Sequence, residues 1–244
     1  MTTMGASNLD FPRGVAIDNS SNIWIADSEN ATLTEYNPGM NAFSSYSGVG
    51  GLDFPSEVAV DISGNIWVSN GSGNGSGSIS VFSSTGAVNS NDPITAGGIS
   101  SPFGLAIDGS GNAWVSNSSG SITKLSLNGG SVTGTNFAPA IGLSGPKGLA
   151  IDGAGNIWVA DSNSGAISEM SSSGAAISPA NGYGYCTACN ASMGLPFGVA
   201  IDGSGDVWMT GYSYGTLTEF VGAATPVVTP LAANLATSSA INKP

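Results

Sequence analysis

Five tandem copies of one motif constrain this chain more than any other feature. They are Pro12-Arg-Gly-Val-Ala-Ile-Asp18, Pro55-Ser-Glu-Val-Ala-Val-Asp61, Pro102-Phe-Gly-Leu-Ala-Ile-Asp108, Pro146-Lys-Gly-Leu-Ala-Ile-Asp152 and Pro196-Phe-Gly-Val-Ala-Ile-Asp202. The closing aspartates are 43, 47, 44 and 50 residues apart. Six residues after each stands a tryptophan, at Trp24, Trp67, Trp114, Trp158 and Trp208, and these are all five in the chain. Self-similarity at such a period means one supersecondary unit per repeat, each burying its apolar face against the next.

Within a repeat the run after Pro, such as Val15-Ala16-Ile17, is short and apolar on both faces, as expected of a strand between neighbouring sheets. A turn like Asp108-Gly-Ser-Gly-Asn112 follows, where Asp bonds the turn backbone and Gly takes up positive φ. The second strand is Ile23-Trp24-Ile25-Ala26 and its counterparts. A third run alternates, as in Thr32-Leu-Thr-Glu-Tyr36, and a less regular fourth falls around Ala42 to Tyr46 or Val132 to Phe137.

Four antiparallel strands per unit of about 40–45 residues describe the blade of a β-propeller, so the expected fold is all-β with five such blades. The rival, a parallel β-helix, has shorter turns and lacks the four-run hairpin pattern. Small Ala16, Ala59, Ala106, Ala150 and Ala200 let the inner strands approach one another, and each Trp fills the widening gap to the next blade. The propeller is expected over residues 1–222, with motifs starting near 11, 54, 101, 145 and 195. Residues 223–244 read as a closing strand and a flexible tail.

Composition narrows function by exclusion. Charged residues make up 8% of the chain against roughly 25% in ordinary globular proteins, and 16 acidic side chains face 4 basic ones for a net charge of −12. Such a chain repels phosphate, so nucleic acid is not an expected partner. With no His, every Ser/His/Asp triad, Cys/His dyad and imidazole-ligated metal is excluded. No apolar run reaches the roughly 18 residues that a transmembrane helix needs. Sparse lysine and abundant Ser, Thr, Asn and Gly suggest an extracellular, periplasmic or cell-surface setting, with any leader outside this chain.

The sequence Pro-Xaa-Gly-Val/Leu-Ala-Ile-Asp, then Gly-Asn-Ile-Trp-Val-Ala-Asp, then Gly-Ala-Ile-Ser-Glu, seen whole in residues 146–169, resembles the NHL repeat. Within that family it resembles the bacterial branch that includes streptogramin lyases of the virginiamycin B lyase type. The resemblance covers residues 11–222 and implies a propeller. Its members are commonly six-bladed and the lyases seven-bladed, so five motifs imply a five-bladed ring or part of a larger one. The lyases act through histidines, a glutamate and magnesium; without His that chemistry is not carried over. RNA-binding relatives use a basic surface, which this acidic chain lacks.

Antiparallel pairing puts the start of the first strand and the end of the second at the same end of the blade. The first set is Arg13, Ser56, Phe103, Lys147 and Phe197; the second is Asp27, Asn70, Asn117, Asp161 and Gly211. Both vary while their flanks repeat, which is how repeat scaffolds present a binding surface for a protein, glycan or small molecule. The alternative is that Asp27 and Asp161 cap their loops and the aromatics pack. The expected function is therefore a non-catalytic, secreted or surface-displayed binding module without a cofactor. The alternative is a lyase or a gluconolactonase-like lactonase with all-oxygen Ca²⁺ or Mg²⁺ ligands, for which Asp10 and Asp53, with Asp27 or Asp161, are the candidates. The Asp-Xaa-Ser-Gly-Asn turns lack the closing Glu of an EF-hand loop and read as structural. Glu35, Glu169 and Glu219 read as solvated edge charges. Cys186 and Cys189 lack further Cys or His for zinc and are expected to form a local disulfide.

Overall fold

The computed structural model describes residues 9–71, 77–138, 142–184 and 193–227; Cys186 and Cys189 lie outside the described residues. The first repeat forms a four-stranded antiparallel sheet of β1 (Pro12–Ile17), β2 (Ile23–Asp27), β3 (Thr32–Asn37) and β4 (Ala42–Ser47). The second contributes β5 (Pro55–Val60), β6 (Ile66–Gly71) and β7 (Gly77–Phe82). The third has four strands, β8 (Pro102–Ile107), β9 (Ala113–Asn117), β10 (Ser121–Asn128) and β11 (Ser131–Phe137). The fourth is β12 (Pro146–Ile151), β13 (Ile157–Asp161) and β14 (Ala166–Met170), and the fifth β15 (Pro196–Ile201), β16 (Val207–Gly211) and β17 (Thr216–Phe220). Among the described residues no helix is long and apolar enough to cross a membrane.

These sheets are the blades of a β-propeller. Among the described residues the fourth strand is regular only in the first and third blades. In the second and fourth it shrinks to isolated bridges, Ile79 with Ile94 and Phe82 with Val88, then Ile167 with Tyr183 and Met170 with Ala176. Pro93 and Pro179 in those segments have no N–H for a ladder, and Gly and Asn favour turns there. The expected closing strand is not a ladder strand in the described part of the chain. Ala224 N–H donates to the Gly205 carbonyl, and the Thr225 carbonyl accepts from Gly153 N–H, both at 3.0 Å, so the segment crosses the turns of the fifth and fourth blades.

The invariant spacing of Asp and Trp has a specific cause. Each indole N–H donates to the carboxylate six residues earlier: Trp24 to Asp18 at 3.0 Å, Trp67 to Asp61 and Trp114 to Asp108 at 2.9 Å, Trp158 to Asp152 at 3.4 Å and Trp208 to Asp202 at 3.1 Å. The other carboxylate oxygen accepts backbone N–H groups two and four residues on, as Asp61 does from Ser63 and Asn65 at 2.9 Å. One Asp therefore closes the hairpin and aims the Trp. Burial raises the Asp108 pKa, but donors on Asn112, Trp114 and the turn backbone outweigh it and hold the carboxyl at about 2.

Four of the clamped Trp pack against the inner strand of the next blade: Trp24 with Val58, Trp67 with Leu105, Trp114 with Leu149 and Trp158 with Val199. The inner strands β1, β5, β8, β12 and β15 follow one another around an axis, and no comparable packing joins β15 to β1. Among the described residues nothing covers the seam between the first and fifth blades. Val15 is 61% exposed where Val58 is 4% and Leu105 and Leu149 are 7%. Leu217 is 64% exposed where Leu33, Ile79, Ile122 and Ile167 are fully buried.

The motif glycine shows how tightly the axis is wound. A Cβ on Gly14 would lie 2.6 Å from the Glu57 Cα, and one on Gly148 would lie 2.6 Å from the Phe197 carbonyl oxygen and 3.0 Å from the Gly198 Cα. At these positions the neighbouring backbone itself occupies the side-chain space.

Candidate functional site

The register places the start of each inner strand opposite the end of its partner: Pro12 with Asp27, Pro55 with Asn70, Pro102 with Asn117, Pro146 with Asp161 and Pro196 with Gly211. The two candidate sets thus share one end of the axis, yet they do different work. Asp27 is buried and accepts from the Asp10 N–H at 2.7 Å and from Asn30 Nδ2 at 2.8 Å. Asn70 accepts from the Asp53 N–H at 3.4 Å and donates to Ser80 Oγ at 2.8 Å. Asn117 accepts from the Ser100 N–H at 3.0 Å and donates to Thr123 Oγ1 at 2.9 Å, and Asp161 accepts from the Ser144 N–H at 2.8 Å. Each latches the loop entering its blade to the second strand, satisfying backbone that packing has dried.

The other set opens on the axis. Arg13, Ser56, Phe103 and Phe197 line a cavity of about 410 Å³ with two further residues, Glu57 and Tyr212. Ser56 is buried and committed to Ser69 Oγ at 3.0 Å and the Phe103 carbonyl at 3.2 Å. Phe103 and Phe197 meet edge to face with centroids 5.1 Å apart, and Tyr212 lies 5.8 Å from Phe197, giving a continuous aromatic wall. The Lys147 ammonium sits 4.6 Å from the Phe103 ring centroid. Burial, and next the Arg13 charge, pull the Lys147 pKa below its ordinary value.

Glu57 is the acid of the cavity. Burial pushes its carboxyl up to about 7, against the opposing pull of the Val58 N–H. A carboxyl at that value changes charge near neutrality, as a proton donor, acceptor or charge gate must.

Reading the repeat for what recurs missed Glu57 and Tyr212; both are visible as departures from it. Glu57 stands where the other motifs have Gly14, Gly104, Gly148 and Gly198. Tyr212 follows β16 where the other blades have Ser28, Gly71, Ser118 and Ser162. The outer glutamates also differ from expectation. Glu169 is buried and accepts from Tyr183 OH at 3.0 Å, and Glu35 accepts from Tyr46 OH at 2.9 Å, because an aromatic of the fourth segment folds over each. Only Glu219, whose blade has no such cover among the described residues, is an exposed charge.

Asp10 and Asp53, the all-oxygen metal candidates, are exposed on separate entry loops. Among the described residues no three Asp, Glu, Cys or His side chains gather closely enough to hold a metal ion. At the opposite end of the axis Ile107, Ile151, Pro226 and Val227 line a second cavity of about 390 Å³. Its Asp152 is already committed to Asn156, Trp158 and the crossing Thr225 N–H.

Comparison with known proteins agrees with this architecture. Residues 9–36 match the NHL repeat. A search by sequence finds no match among curated proteins. Among solved structures, virginiamycin B lyase from Staphylococcus aureus superposes with a TM-score of 0.58 at 15% identity, covering 90% of this chain and 71% of that one. A putative gluconolactonase gives a TM-score of 0.65 at 15% identity over 89% of this chain and 76% of its own. A gluconolactonase from Xanthomonas campestris gives 0.62 at 17% identity over 82% and 69%. The chain carries an NHL repeat in a propeller like those of streptogramin lyases and gluconolactonases; at these identities the likeness is one of fold.

Proposed function

We propose that this propeller is a non-catalytic module that binds a small molecule at the axial mouth bounded by Arg13, Glu57, Phe103, Phe197 and Tyr212. The observation carrying this reading is the aromatic wall around a cavity of about 410 Å³, flanked by cations and one half-buried acid. Small-ligand sites fall within roughly 300–1,000 Å³ and combine apolar walls with a few placed polar groups. A protein or glycan partner would need a broader platform than this recess provides. The sparse charge and polar surface fit a secreted or surface-displayed molecule. A ligand-observed NMR screen with small neutral, anionic and cationic ring compounds tests it. Hits should vanish when Phe103→Ala and Phe197→Ala are combined in a protein that still melts cooperatively; hits indifferent to that pair would refute the placement.

A second reading is enzymatic but differs from the metal-dependent alternative, and its ground is that burial pushes the Glu57 carboxyl up to about 7 in a fold shared with lyases and lactonases. In that reading Glu57 is a general acid or base and Arg13 and Lys147 steady developing negative charge. Turnover of lactone or streptogramin B substrates that Glu57→Gln abolishes would replace the first reading with this one.

A further inference from the structure

The few cations of this chain are placed unevenly. It has 4 Lys and Arg against 16 Asp and Glu, yet Arg13 and Lys147 both stand at one axial mouth. Among the described residues Lys124, the remaining cation, pairs with Asp108 at 3.4 Å, and neither Arg13 nor Lys147 has a carboxylate in ion-pair contact. The two instead feel each other's charge. Holding like charges together is unfavourable, the more so as Lys147 is half-buried, and in a chain of net charge −12 acids to neutralise them are plentiful. A bound anion would supply what those acids do not. Beside the cations, the rings of Phe103, Phe197 and Tyr212 offer an apolar wall to a flat ligand.

Resting on the reading of the mouth as a small-ligand site, we propose that its ligand is a carboxylate borne on an aromatic or similarly flat ring. The carboxylate lies at Arg13 and Lys147, and the ring against Phe103, Phe197 and Tyr212. Guanidinium is suited to a planar carboxylate because it can donate two parallel hydrogen bonds. Glu57 decides when the site accepts this charge. Below about pH 7 burial keeps its carboxyl protonated and able to donate to the anion; above, it is a competing negative charge. Of the strands packed on β5, β1 brings Arg13 and β2 brings Asp27, whose carboxylate is engaged by Asp10 N–H and Asn30, while β6 and β8 bring no charged residue. Lys147 on β12 completes the charged groups at the mouth.

Isothermal titration with three matched probes, naphthoate, naphthamide and naphthylmethylamine, tests the proposal. Naphthoate should bind at least about tenfold more tightly than either of the others, weaken as pH rises through 7, and lose about tenfold in Arg13→Gln. Naphthamide should lose much less affinity than naphthoate in Arg13→Gln, a change at an exposed position whose fold is checked by its melt. Equal binding of naphthoate and naphthamide would overturn the anion and leave the mouth as a ligand site. Naphthoate binding that survives Arg13→Gln combined with Lys147→Gln would overturn the placement of the carboxylate. If none of the three binds, the proposal fails, while the reading beneath it still stands or falls with the wider NMR screen.

Discussion

Replacing Glu57 by Gln should stabilise the protein at alkaline pH and do much less at acidic pH. The carboxyl has an ordinary value of 4.5 and is pushed by burial to about 7 in the fold. Between those values the folded chain holds a proton that the unfolded chain has released, so stability falls as pH rises through this window and levels off above it. The difference of about 2.5 in pKa, at about 1.4 kcal/mol each, corresponds to about 3 kcal/mol lost between pH 4 and pH 8. Gln keeps the shape and cannot ionise. The stability gained by Glu57→Gln should therefore be about 3 kcal/mol larger at pH 8 than at pH 4, or roughly 6–12 °C in melting temperature for a chain of this size. Asp92, also pushed up by burial to about 7, gives the same slope in both proteins and cancels in their difference. Urea denaturation of the two proteins across that pH range reads the effect. A wild-type-to-variant gap independent of pH would show that Glu57 is solvated or neutralised by Arg13, and the charge logic of the mouth would fail with it.

Asp61→Ala should cost about 2–4 kcal/mol by urea denaturation, because it strips the fully buried Trp67 indole and the Ser63 and Asn65 amides of their acceptor. The same change at Asp202 should cost less than half as much, since Trp208 is only half-buried and water can replace the lost acceptor. Ile122→Ala, at a fully buried position, should cost about 2–5 kcal/mol, whereas Leu217→Ala at the bare seam should stay within about 1 kcal/mol in the same assay. Gly148→Ala forces a methyl against the Phe197 carbonyl and should lower the melting temperature by several degrees, about 1–3 kcal/mol.

The fold was legible because its determinants repeat. The Pro-to-Asp run, the Asp turn and the Trp six residues later are each local, so pairing and register could be read without knowing any distant contact. The fourth strand was not, since Pro93 and Pro179 interrupt it and its pairing depends on longer connections. Glu35 and Glu169 look like surface charges in an alternating strand; only the chain folding back brings Tyr46 and Tyr183 over them. The latches formed by Asp27, Asn70, Asn117 and Asp161 were foreseeable as loop caps, but their partners lie 17 residues upstream in the entering loop.

What distinguishes the mouth follows from how a repeat constrains substitution. Where adjacent blades touch, each residue has its counterpart for a neighbour, so Trp against Val or Leu must recur and carries fold alone. At the axis the constraint is a space limit, Gly against Gly, that a single blade can break if its neighbours keep it. Glu57 is seated between Gly14 and Gly104 in just this way, its backbone within contact of the space a Gly14 side chain would take. Tyr212 is free for the complementary reason: it borders the seam, where no sixth blade among the described residues presses on the loop after β16. The departures therefore collect at one end of the axis and toward the open side, and Arg13, on the blade across that seam, faces the same cavity. Among the described residues nothing fills the gap beside this cavity, and Val15 and Leu217 stand exposed along the same gap.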